Sequence, residues 1–100
     1  MRPSRNQELI NALAVEIKAR RLELEFSQEE LAARMDVDRP YLSLMEVGKK
    51  QPTISVLFRI AVALDLTFEQ FAGRVEARYK QEASAGALGT RRRKSPEPGR

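Results

Sequence analysis

Apolar residues recur along the chain three and four positions apart, the spacing that puts them on one side of an α-helix. Leu9, Leu13, Ile17 and Leu24, with Ile10 and Ala14 beside them, predict a first amphipathic helix over residues 6–22, closed against the core by Phe26. Ser27 followed three positions on by Glu30 is a capping-box pattern, and Leu31, Ala32 and Met35 form the apolar side of a short second helix. Asp36, Val37 and Asp38 make a tight polar connection with Val37 as its buried anchor. A third helix starts at Asp38 or Arg39, because Pro40 fits only in a first turn, where its missing N–H has no helical partner. Gly48 supplies the left-handed residue that stops it. After a polar KKQP loop, Thr53 caps a fourth helix with Ile54, Leu57, Ile60, Ala61 and Leu64 inward. A turn at Asp65, Leu66 and Thr67 leads into a fifth helix over residues 67–79, anchored by Phe68, Phe71 and Val75.

The expected fold class is therefore all-α, a compact five-helix bundle occupying residues 6–80. From Gln81 onward the chain turns to Ala, Gly, Ser, Pro and Arg with Leu88 as its one large aliphatic residue. Such a segment buries too little surface to offset its ordering entropy, so residues 81–100 are expected to be a disordered basic tail.

Composition narrows the function. A length of 100 residues suits one domain with one small core. Apolar runs are only a few residues long, too short to span a bilayer, and the opening MRPSRNQELI lacks the apolar stretch of a secretory signal. The expected location is the cytoplasm, with no membrane partner. With no Cys and no His, thiol catalysis, structural zinc and imidazole acid–base chemistry have no residues to carry them, and no glycine-rich phosphate loop occurs. Neither an enzyme, a cofactor nor a metal site is expected. The net charge of +4 suggests a polyanionic partner, but most of it sits in the tail. Residues 1–80 carry 13 basic and 12 acidic side chains, and residues 81–100 carry five and two.

Two short helices joined by a three- or four-residue turn make a helix-turn-helix pattern. With SQEELA at residues 27–32, Val37, Leu42, Ser43, Glu46, Gly48 and Pro52, residues 7–72 resemble the phage repressor and Cro-type (lambda repressor-like) helix-turn-helix family of bacterial transcription regulators. The resemblance implies a five-helix bundle whose helix near residues 39–47 lies in the DNA major groove. It also implies an ion pair between Arg21 and Glu46. A separate physical reason favours that pair: Glu46 lies at the edge of the helix's buried side, where an arginine fork would satisfy its carboxylate. Two unrelated solvated charges are the alternative.

At 100° per residue, Tyr41, Leu42 and Met45 point to one side of the third helix, and Pro40, Ser43, Leu44 and Val47 to the other, with Arg39 at the margin. The second set is more apolar than in relatives, which often carry Gln, Arg or Ser there. Leu44 and Pro40 suit thymine methyls, the one apolar mark in the major groove, and Arg39 is placed to grip guanine O6 and N7. The alternative for Arg39 is a surface pair with Asp36 or Asp38. Gln28, Tyr41, Ser43, Lys49 and Lys50 are expected to give supporting contacts, the lysines to phosphates. Gln28 fits equally well as an ordinary exposed helix residue, and Tyr41 as an edge of the core. The RRRK run at residues 91–94 is either a cationic arm on DNA or a solvated stretch.

Phe58, Val62, Leu66 and Phe68 cluster on the fourth and fifth helices, either as a dimer interface or as a thickening of the core. The expected function is a sequence-specific DNA-binding transcriptional regulator that binds a palindromic operator as a homodimer. Its expected partners are double-stranded DNA and a second copy, with no small-molecule ligand evident. A competing class is a helix-turn-helix protein-interaction module, an antitoxin or adaptor, since residues 27–50 carry four basic and five acidic side chains. The run from Arg39 to Ser43 looks somewhat like controllers of restriction–modification operons.

Overall fold

The computed structural model describes residues 5–92, with side chains as far as residue 82. Five helices follow one another: α1 Gln7–Glu23, α2 Gln28–Met35, α3 Arg39–Glu46, α4 Ile54–Ala63 and α5 Phe68–Arg92. There is no strand among the described residues.

Short-range polar side chains cap four of the five helix starts, and α3 begins instead with Pro40 in its first turn. Asn6 accepts from the Leu9 N–H, Thr53 from Val56, and Thr67 from Gln70, whose side chain reaches back to the Thr67 N–H. Ser27 and Glu30 make the predicted reciprocal box, satisfying two orphan donors at the start of α2. The stops are more uniform than the sequence suggests. Glu25, Asp36, Gly48 and Asp65 all have positive φ, between 59° and 78°, and each ends a helix. Three of these four are not glycine. At Gly48 the left-handed turn closes with Gly48 N–H on the Met45 carbonyl and Lys49 N–H on the Leu44 carbonyl, a Schellman stop.

The core is built from all five helices. Ile17, Leu31, Met35, Leu42, Met45, Ile60, Leu64 and Phe71 are its largest fully buried side chains. α5 lies along α1, and α3 packs on α1 and α2. Across the first contact the Glu16 carboxylate, almost wholly buried, accepts from Arg74 and Arg78, while Arg20 and Arg74 share Glu23. The Glu16 carboxylate raises the Arg74 guanidinium above its already high pKa.

Four expectations need correction. Leu9 is 41% exposed, because Ile10, Leu13, Ile17 and Arg21 centre the inward face of α1 and Leu9 falls at its edge. Ile54 is 72% exposed: as the first residue of α4 it lines up with Phe58 and Val62, four and eight positions on, along the outer side. Val37 is only partly buried. The fifth helix does not stop near Tyr79 but continues to Arg92. Ala83, Ala85 and Ala87, the best helix formers, lie in that stretch. Residues 93–100 lie outside the described residues. No described helix is long and apolar enough to cross a membrane.

Candidate nucleic-acid interface

α3 follows α2 after three residues, and its rotation is set by Leu42 and Met45 in the core together with a chain of side-chain hydrogen bonds. Arg21 of α1 meets Glu46 of α3 as a fork, Nε to Oε2 at 2.8 Å and Nη2 to Oε1 at 3.0 Å. Its Nη1 donates to the Phe26 carbonyl at 2.9 Å. The Gln28 amide donates to the same Glu46 Oε1 at 3.0 Å, and its own oxygen accepts from the Ser43 hydroxyl at 2.9 Å. Both charged residues are buried, Arg21 at 7% and Glu46 at 8% exposure. Glu46, chiefly through this hydrogen bond, raises the Arg21 guanidinium above its ordinary pKa. The fork therefore joins the first, second and third helices at one point, and the pair read from the sequence is present.

With Leu42, Met45 and Glu46 held inward, the opposite side of α3 is fixed outward. Arg39, Pro40, Leu44 and Val47 are exposed, Val47 at 65%, while Tyr41 and Ser43 are half-buried. Tyr41 packs against the core, its alternative role. Gln28 and Ser43 are largely engaged with each other and with Glu46, so they hold α3 on α2 in addition to any contact outside. Lys49 and Lys50 are exposed just past the Gly48 stop. Arg39 pairs with neither Asp36 nor Asp38 but approaches Glu29, Nε to Oε2 at 3.4 Å, with both side chains mostly in solvent. An exposed pair of that kind contributes roughly 0–1 kcal/mol. A bidentate guanine contact offers about 1–3 kcal/mol, so Glu29 does not keep Arg39 from such a contact.

Two groups that the sequence does not reveal steady this surface. The Gly48 carbonyl, at the end of α3, accepts from Gln7 Nε2 at 2.9 Å and from Arg5 Nη2 at 3.4 Å. A Cβ at Gly48 would lie 2.6 Å from Asn11 Oδ1, the movable end of a side chain, so the positive φ is the stronger reason for glycine here. At the other end, Arg59 of α4 donates to the Met35 and Asp36 carbonyls, capping α2. Separations of 23 to 43 residues leave no local signal for such contacts.

Of the four residues expected at a dimer interface, Phe58 and Val62 are exposed, at 55% and 57%, whereas Leu66 and Phe68 are partly buried against the core. Ile54 takes their place in the exposed stripe, and the Phe58 ring leans on Phe68 at 6.1 Å between centroids. An apolar groove of about 950 Å³, lined by none of Ile54, Phe58 and Val62, opens between α1, the start of α4 and α5, walled by Leu9, Leu13, Leu57, Phe68 and Tyr79. It includes no residue of α2 or α3. No group of His, Cys, Asp and Glu among the described residues is arranged to hold a metal ion. The RRRK run has no described side chains.

A helix-turn-helix family model matches residues 17–71, from the middle of α1 to the start of α5. The control protein C.MunI of Mycoplasma sp is 34% identical over 59 residues, which is 59% of this chain and 80% of that protein. Among solved structures, the restriction–modification controller protein C.Esp1396I, crystallised as a tetramer with its natural 35 base-pair operator, is 30% identical. The match has a TM-score of 0.67 and covers 71% of this chain and 93% of that one. The clp gene regulator ClgR from Corynebacterium glutamicum shares the fold at a TM-score of 0.76 and 23% identity, over 88% of this chain and 92% of its own.

Proposed function

Because this chain belongs to the helix-turn-helix family, we propose that it is a DNA-binding transcriptional regulator of the restriction–modification controller kind, which reads a palindromic operator as a homodimer. The observation that carries the reading is the orientation of α3: Arg39, Pro40, Leu44 and Val47 face away from a bundle that holds Leu42, Met45 and Glu46. Arg39 contributes the polar base contact and Leu44 and Pro40 meet thymine methyls. Lys49 and Lys50 neutralise phosphates. Support for the partner comes from C.Esp1396I, which is similar to this chain and was crystallised with operator DNA.

The homodimer rests on α4. Ile54, Phe58 and Val62 recur every four residues on one exposed side, a stripe that an isolated bundle leaves in water. A two-fold partner covers it and sets two α3 helices about one DNA turn apart.

Selection of bound fragments from genomic DNA with the purified protein tests the reading. The expected result is one recurring inverted repeat, bound with an affinity that falls steeply as salt rises. Arg39→Ala then loses most of the preference for that repeat over scrambled duplex, by roughly 5- to 150-fold from a contact of about 1–3 kcal/mol. Lys50→Ala weakens both duplexes alike. Equal binding of the wild type to selected and scrambled DNA would instead favour the protein-interaction module, for which the acidic balance of residues 27–50 speaks.

A further inference from the structure

We propose that Arg5 is a phosphate-binding residue that works with Lys49 and Lys50 as one cationic clamp at the far end of α3, an inference that rests on the DNA-binding reading above. Arg5 precedes α1 and is separated by more than forty residues from the end of the recognition helix, yet its guanidinium reaches the Gly48 carbonyl. Its Nε is held by Gln7 Oε1 at 3.2 Å, and Gln7 in turn grips the same carbonyl and Asn11. The start of α1 is thus bound to the peptide from which Lys49 and Lys50 depart.

Outside this group, only Lys18 of α1 among the described cations is exposed with no carboxylate, ring or carbonyl partner. Arg20, Arg21, Arg39, Arg74, Arg78 and Lys80 each face a carboxylate. Arg34 lies over the Phe26 ring, and Arg59 caps α2. Among the described residues, no carboxylate lies within ion-pair distance of Arg5, Lys49 or Lys50, although all three are exposed. Three cations without a carboxylate partner, one bonded to the peptide that the other two follow, offer charge that a polyanion would neutralise. Length gives the place. An eight-residue helix is about 12 Å long, close to the width of the major groove. With Arg39 and Pro40 over base edges, the Gly48 end arrives at the sugar–phosphate wall. There Arg5 presents a planar fork suited to phosphate oxygens.

The test compares wild type, Arg5→Ala, Arg5→Lys and Lys50→Ala on two labelled duplexes, the selected repeat and a scrambled sequence of equal length, across a salt series. Arg5→Ala is expected to weaken both duplexes by the same factor and to make the slope of log K against log salt shallower by about 0.9 for each protomer bound. Arg5→Lys is expected to keep the wild-type slope, because the charge remains while the fork to Gly48 is lost. Melting temperatures of Arg5→Ala and wild type should agree. An unchanged slope for Arg5→Ala beside a steep wild-type slope overturns this inference alone, and so does a lowered melting temperature with the slope intact, which marks Arg5 as a purely structural brace of Gly48. A wild type that binds neither duplex overturns the DNA-binding reading and takes the clamp with it.

Discussion

Arg21→Ala and Glu46→Ala each lower stability by about 3–5 kcal/mol, because either change leaves a buried charge without its partner. In a domain of this size that loss moves the thermal midpoint by more than ~10 °C. Arg21→Ala strands a carboxylate with only the Gln28 amide left to it, and Glu46→Ala strands a guanidinium with only the Phe26 carbonyl. The double variant strands neither, so its cost falls short of the sum by roughly 0.5–3 kcal/mol. Thermal or urea unfolding of the four proteins measures this directly, and strict additivity would show that the fork is not an energetic unit. The effect is larger than that of the exposed Arg39–Glu29 pair, for which the same cycle should return close to zero. A loss of the fork also frees α3 to rotate, so DNA binding should fall further than the unfolded fraction explains.

Val62→Glu produces the other large effect, and it falls on assembly and not on folding. Val62 is 57% exposed on the α4 stripe, so a carboxylate there is solvated in the monomer, and the melting temperature changes little. In a two-fold dimer each introduced carboxylate would be buried against the partner's apolar stripe, which costs several kcal/mol. Sedimentation should show the wild-type dimer replaced by monomer. Binding to the full inverted repeat should weaken by about 100-fold or more, since joining two reading heads raises affinity by factors of that order. Binding to a single half-site should stay as it was. A Val62→Glu protein that still sediments as a dimer would move the interface away from α4.

The elements that proved legible in the sequence are those fixed within a turn of chain. Ser27 with Glu30, Thr53 with Val56, and Gly48 after α3 each declare themselves by residue type three or four positions from their partner. Asp36 and Asp65 mark their turns by residue type though not their left-handed φ, whereas Glu25 gives no local sign of a conformation that costs such a residue roughly 1–2 kcal/mol. Leu9 and Ile54 show a second limit. Periodicity places a residue within tens of degrees, and both sit where that margin separates core from solvent. For α5 two local tendencies compete beyond Tyr79, alanine favouring helix and Gly86 and Gly89 opposing it, so periodicity does not mark its end. At the candidate site, the outward set on α3 and the Arg21–Glu46 pair were both legible, the pair partly through resemblance. The Ser43–Gln28 bond was not, because either residue suits a phosphate as well as a neighbour.

Entry of the outer side of α3 into the major groove, on which the proposed function turns, can be tested by position, because the chain has no cysteine of its own. Leu44→Cys and, as a control on α5, Glu76→Cys each give a single thiol to which an iron–EDTA cleavage reagent is attached. On the selected inverted repeat, the reagent at residue 44 should cut both strands within each half-site, in the pattern of a major-groove source, while the reagent at residue 76 leaves those positions intact. Cutting of the half-sites from residue 76, with none from residue 44, by proteins that still bind the repeat would contradict the account.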